Sequence, residues 1–167
     1  LGAWILWLGW FGFNGGSELI VSDEASAIAV SQVFMNTNMA AAGGVVATLM
    51  LSLALTGKMD VTMAINGAIA GLVAITAGPS APTGGTAVII GAIGGVIVVY
   101  GTKLLFSLKI DDVVGAVPAH LFAGIWGTLA VPITNPDATF GAQLLGIISI
   151  NVFVFVVAYI CLLYTSD

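Results

Sequence analysis

The sequence predicts an all-α fold: a polytopic membrane helix bundle with about six transmembrane helices in a single domain spanning residues 1–167. Three observations lead there. Hydrophobic residues make up 59% of the chain and charged residues only 7%, against about 45–50% and about 25% in a typical soluble domain. Apolar stretches close to the ~20 residues that cross a bilayer recur along the whole chain. Short clusters of Gly, Pro, Asn and Asp separate them and supply helix stops and turns. A soluble fold of this size needs far more charge to cover its surface, which excludes an ordinary globular enzyme. Three Lys and no Arg leave no basic patch for nucleic acid.

The spans follow in order. The first covers residues 2–21 and the second 27–56, long enough to tilt or overhang the bilayer. The third, 61–77, is the shortest and richest in Gly and Ala. The fourth covers 85–106, the fifth 112–131 and the sixth 138–163. Short loops make consecutive spans antiparallel neighbours. Lys58 lies between spans two and three, Lys103 at the end of span four and Lys109 between four and five. Two crossings separate these loops, so all three lysines share one side, which the positive-inside rule places in the cytoplasm with the C-terminus. The opposite side carries Asp23, Glu24 and Asp137. With no initial Met, the segment reads as internal to a longer protein, and residues 162–167 are assigned no function. The glycine pairs Gly12–Gly16, Gly67–Gly71 and Gly91–Gly95 have the spacing that lets helix backbones approach closely.

Few side chains can do chemistry. His120 is the strongest candidate, because ionisable groups inside a membrane usually face the bundle interior or a cavity. A helix running from Asp112 would place it about 12 Å in, near mid-membrane. A neutral imidazole there can donate one hydrogen bond and accept one, which suits a pore-lining group or a proton relay; a packed His satisfied by a backbone carbonyl is the plainer reading. Pro118 is expected to kink that helix and widen a local cavity. A second cluster runs from Trp10 through Phe13 to Ser17. Aromatic faces attract cations by about 0.5–2 kcal/mol, and the Ser17 hydroxyl lies one turn beyond Phe13. The cluster could hold a small cation outside a dry pore or could be an interfacial aromatic belt. Trp4, Trp7 and Trp10, at three-residue spacing, read as packing or interface anchors, and Asn36, Asn38 and Asn66 as interhelical hydrogen-bonding groups. Asp111 and Asp112 fit a helix N-terminus. No cofactor or metal motif is present, and the lone Cys161 cannot form an internal disulfide.

Four segments in register carry a family resemblance: residues 9–17 (GWFGFNGGS), 36–42 (NTNMAAA), 67–76 (GAIAGLVAIT), and 109–112 (KIDD) leading to His120 and 124–127 (GIWG). The chain closely resembles the ammonium transporter (Amt) family, with Rh proteins as relatives. The resemblance implies eleven helices in two inverted five-helix repeats plus a last helix, trimers with one pore per subunit, and a place for this chain at helices six to eleven. It implies that Ser17, in the Trp10–Ser17 cluster, belongs to an outer cation site, that Phe13 is one of two stacked gating phenylalanines, and that His120 is one of a pair of pore histidines. The partner groups would lie in the first repeat. The family's commonest pattern has Asp where Gly115 stands and Gly where Leu121 stands.

The transport chemistry expected from this is set by desolvation. A bare ammonium ion in a narrow apolar pore loses more hydration than wall contacts return, whereas ammonia loses little. The expectation is therefore recruitment of ammonium at the outer vestibule, deprotonation, and passage of ammonia past Phe13 and His120, with potassium excluded because it cannot lose a proton. The chain is expected not to be an enzyme. Its expected partners are ammonium or ammonia, the lipid bilayer, two further copies in a full-length homotrimer, and a cytoplasmic regulatory protein; nucleic acid is not among them. The alternative is an ammonium sensor coupled to a signalling domain.

Overall fold

The computed structural model describes residues 1–165, and all regular structure among them is helical. The helices are α1 (Gly2–Gly16), α2 (Glu24–Thr56), α3 (Val61–Thr76), α4 (Gly84–Ser107), a π-helical segment (Val117–Phe122) that runs straight into α5 (Ala123–Thr134), and α6 (Phe140–Thr165). Counting the π segment with α5, these are the expected six rods. Four are long and apolar enough to cross a membrane: α2, α4, the rod Val117–Thr134 and α6. The apolar α3 is shorter, with 16 residues. Within residues 162–167, Ser166 and Asp167 lie outside the described residues.

Polar caps set the helix ends. Asp23 and Ser26 form a reciprocal capping box at the start of α2, with the Asp23 carboxylate accepting from the Ser26 backbone N–H at 2.8 Å. These hydrogen bonds, first from the Ser26 backbone and then from its side chain, hold the Asp23 carboxyl below its ordinary pKa. Asp60 caps α3 by accepting from the backbone of Thr62 and Met63. Gly57 ends α2 in the left-handed conformation at φ 73°, which a residue without Cβ adopts at no steric cost.

The core is a trio of α2, α3 and α4 whose backbones nearly touch. The Ala40 carbonyl of α2 lies where a Cβ on either Gly71 or Gly91 would stand, and the Gly44 carbonyl does the same to Gly67 and Gly95. Two of the three expected glycine pairs are therefore crossing points. The third is not among the described residues: a Cβ on Gly12 or Gly16 would meet nothing within 4 Å there. Those two lie on the outer face of α1, where spacing alone cannot create a partner. Leu72, Ile75, Val33 and Val98 fill what the small residues leave, all fully buried. Lys103 lines one hollow with Thr56 and Asp60, which flank Lys58, and Lys109 lines another beside Thr102. The three lysines thus gather at one end of the bundle.

Two expected boundaries move. The first rod ends at Gly16 rather than near residue 21, because the chain turns at Ser17 and Leu19 takes φ 62°. The fifth begins at Val117 rather than Asp112. Both Asp112 carboxylate oxygens instead accept from the first backbone N–H groups of the rod, Ala116 at 2.8 Å and Val117 at 2.9 Å. Pro118 consequently stands in the first turn, where a missing N–H costs nothing, so it starts the rod and does not kink it. The polar asparagines also divide. Asn36 donates to the Pro79 and Pro82 carbonyls in the α3–α4 loop and Asn66 to Val114 O ahead of the π segment. Both tie helices to loops rather than to other helices, and Asn38 is exposed.

Candidate functional site

The last turn of α1 carries the aromatic cluster, and its neighbours lock it in place. The Asn14 amide donates to the Thr37 hydroxyl at 2.9 Å in a buried contact, and Phe11 meets Phe34 edge-on at 5.6 Å between ring centroids. These contacts fix the rotation of α1 against α2. Trp10 packs on the core, and its indole N–H donates to the Thr76 hydroxyl at 2.7 Å. It is thereby an anchored wall rather than a free belt residue. The Phe13 ring tilts against it, 5.9 Å between centroids and 56° between planes, and stands 64% exposed. Ser17 terminates the helix; its hydroxyl donates to the Phe13 carbonyl at 2.9 Å, which leaves its oxygen lone pairs free to accept. An aromatic edge and a hydroxyl acceptor therefore stand side by side at the end of the bundle away from the lysines.

His120 sits on a different wall. It belongs to the π segment, a helix form that recurs at functional sites. Pro118 and Phe122 of that segment press on Gly101 of α4, which has no Cβ to hold them off. Gly101 stands six residues before the end of α4 at Ser107, about 9 Å at helical rise, and His120 lies two residues deeper than Pro118, giving about 12 Å from the lysine end. The helix from Asp112 on which the sequence expectation of depth was based does not exist, since the rod starts at Val117. Ala119, next to His120, is buried in the core. The imidazole itself is exposed and lines an open groove of about 390 Å³ between α5 and α6.

The structure thus brings Trp10, Phe13 and Ser17 together and leaves His120 apart. No part of α1 touches the π segment; both pack on α3, which lies between them. The Gly115 departure also has a local cause. This residue takes φ 74°, and a Cβ there would press on the Asn66 amide that holds Val114. Sequence reasoning missed Thr128, Gln143 and Asn151, which share the His120 groove. Gln143 and Asn151 stand out as the only carboxamides of α6, but only the hairpin register brings them beside His120. Among the described residues no cluster of His, Cys, Asp or Glu could hold a metal ion.

Comparison with known proteins supplies what this geometry lacks. The profile of the Ammonium Transporter Family matches residues 1–167. Ammonium transporter Amt2 of Archaeoglobus fulgidus is 46% identical over 141 residues, covering 84% of this chain and 29% of that protein. A putative ammonium transporter of Synechocystis is 39% identical over 171 residues, covering 100% of this chain and 38% of the relative. The chain therefore spans between a quarter and two fifths of the length of these relatives. Among solved structures, Candida albicans Mep2 superposes with a TM-score of 0.86 at 30% identity, over 98% of this chain and 39% of Mep2. A protein described as a sensor Amt protein superposes with a TM-score of 0.81 at 38% identity, over 89% of this chain and 38% of that one. Both sequence relatives carry the name of transporters rather than enzymes. Apolar helices of spanning length, a glycine-packed bundle and a profile matched from end to end lead to one assignment: this membrane chain belongs to the ammonium transporter family.

Proposed function

We propose that the protein containing this chain moves ammonium across a membrane, recruiting the ion at the aromatic end of α1, removing its proton and passing ammonia through an apolar pore. The observation that carries the reading is the placement of an exposed aromatic–hydroxyl pair at one end of the bundle and an exposed imidazole inside one of its apolar rods. Phe13 and Ser17 are exposed at one end, and His120 is exposed about 12 Å from the other. Intramembrane imidazole is costly unless it faces a cavity. On this reading a second set of helices closes over both walls, the lysine end faces the cytoplasm by the positive-inside rule, and three copies assemble. Phe13 then separates a wet vestibule, where Ser17 accepts a hydrogen bond from ammonium, from a dry passage where only the neutral molecule travels.

The test is made in the full-length protein that carries this sequence, reconstituted in proteoliposomes. His120→Ala is expected to lower ammonium-dependent current by roughly tenfold or more, the scale of a lost proton-transfer group. Unchanged current with unchanged exclusion of potassium would overturn the role of the imidazole. A second reading draws on the structural neighbour described as a sensor: the fold binds ammonium and reports it to a cytoplasmic signalling partner. Sensing without transport predicts saturable ammonium binding and no current in the unmodified protein.

A further inference from the structure

His120 is carried by a segment that leans on a single glycine. The π segment packs on α3, α4 and α5 among the described residues. Its turn is wide: the Ala123 N–H reaches back to the Pro118 carbonyl, five residues earlier, which is the pairing of a π turn. Pro118 and Phe122 are four residues apart and share one face of the segment, and both lie against Gly101 of α4. His120 is two residues from each and stands on the opposite face. The imidazole is accordingly exposed while Pro118 is buried.

A Cβ at Gly101 would stand 2.7 Å from Pro118 Cβ and 2.7 Å from Phe122 Cδ2, whereas ordinary contact begins at 3.4 Å. Restoring that contact takes a shift of 0.7 Å, the difference between the two distances. The α4 helix is not the side that gives. Gly91 and Gly95 seat it on the α2 backbone, and Gly94 on the α3 backbone, each closer than a Cβ would allow. Pro118 cannot turn aside either, because its ring is closed on the backbone. The π segment therefore moves away from α4 and takes His120 with it, along the line from Gly101 toward the ring. Among the described residues, Gly101 is the one α4 glycine that faces the segment bearing the imidazole.

We propose that Gly101 is a positioning residue for His120: its missing side chain sets how closely the π segment rests on α4, and so how far the imidazole projects toward the transported molecule. The inference rests on the transport reading of His120, and it holds whatever group the ring meets across the pore, because the projection is fixed from behind. Proton transfer needs heavy atoms about 2.6–3.2 Å apart. A displacement of 0.7 Å exceeds the width of that window. A misplacement of about 1 Å can cost about a hundredfold in rate.

The experiment uses the full-length protein that carries this sequence, in proteoliposomes, with current normalised to folded protein and followed against ammonium concentration. Gly101→Ala is expected to lower the maximal current about tenfold. The half-saturating concentration, set at the Phe13–Ser17 end, should change less than about twofold. Gly94→Ala is the matched control, since it adds the same methyl to the same helix, 2.8 Å from the Ala70 carbonyl oxygen of α3. Its maximal current should stay within about twofold of the unmodified protein. In a His120→Ala background, Gly101→Ala should change the residual current less than about twofold. Should Gly101→Ala not fold, Phe122→Leu tests the same contact from the other side: it withdraws the ring from Gly101 and should lower the maximal current about threefold. The proposal is overturned if the folded Gly101→Ala protein, or Phe122→Leu in its place, carries full current, if Gly94→Ala loses as much, or if Gly101→Ala costs the same factor in both backgrounds. Full current in Gly101→Ala beside lost current in His120→Ala defeats this inference alone, whereas full current in His120→Ala defeats the transport role beneath it.

Discussion

The α4 and α6 helices have similar lengths, 24 and 26 residues, and both are apolar enough to cross a membrane. Yet α4 is packed on α2 and α3 and buries much of its surface, while α6, the more apolar of the two, buries no residue fully. The difference lies in the small residues. Gly91, Gly94, Gly95 and Gly101 line the packed faces of α4, whereas a Cβ on Gly141 or Gly146 of α6 would meet nothing within 4 Å among the described residues. In a membrane, apolarity commits a helix to the bilayer, because lipid is as good a solvent for Leu as protein is. Close approach then decides which helices pair.

The sharpest way to break this comparison is to place one substitution at both kinds of glycine. Gly71→Leu drives a side chain into the Ala40 backbone, which cannot move without parting α2 from α3. It is expected to cost about 3 kcal/mol or more and to leave little folded protein in detergent. Gly12→Leu enters open space and gains helix propensity of about 0.8 kcal/mol. Its melting temperature is expected to hold or rise. Equal loss at both positions would mean that α1 is as tightly packed as the core, against the geometry described above.

Much of the bundle was legible in the sequence because its signals are local. Apolar run lengths gave six rods, loop residues gave most of their ends, and lysine spacing placed three cations at one end. What escaped depended on tertiary partners. Gly12–Gly16 and Gly67–Gly71 have the same spacing, and only the helix opposite distinguishes them. The start of the fifth rod escaped because Asp112 reaches four and five residues ahead to cap it, farther than an ordinary N-cap. At the site, Trp10, Phe13 and Ser17 were legible as a cluster because they occupy consecutive turns of one helix. The His120 neighbours Gln143 and Asn151 were not, since they come from a different rod and gain meaning only through the hairpin register.

The asparagines sharpen the same contrast at a smaller scale. Asn36 is fully buried and donates to two loop carbonyls, at 2.8 Å to Pro79 and 2.6 Å to Pro82. Asn36→Ala strands both acceptors and is expected to cost about 2 kcal/mol, read as a lower thermal unfolding midpoint. Asn38 has the same chemistry two residues on but is exposed, and Asn38→Ala should be close to neutral. If Asn38→Ala matched Asn36→Ala, an Asn38 partner outside these residues would carry as much weight as the α3–α4 loop.

The smallest effect belongs to the exposed end of the longest helix, where Asp23 contrasts with every buried contact above. Hydrogen bonds from Ser26 lower the Asp23 pKa in the folded protein, so the folded state prefers the carboxylate more strongly than the unfolded chain does. The stabilisation is then complete above the ordinary carboxylate pKa and disappears as pH falls through the lowered folded value. Asp23→Asn keeps a side-chain acceptor for the Ser26 backbone but removes the titration. The unmodified protein should therefore lose more stability on acidification than Asp23→Asn, and the two should converge once the carboxyl is protonated. Amide exchange at the first turn of α2 measures this locally, where a global melt would be dominated by the glycine-packed trio. Identical acid sensitivity of that turn in both proteins would assign the effect to carboxylates elsewhere and leave the α2 cap without a charge component.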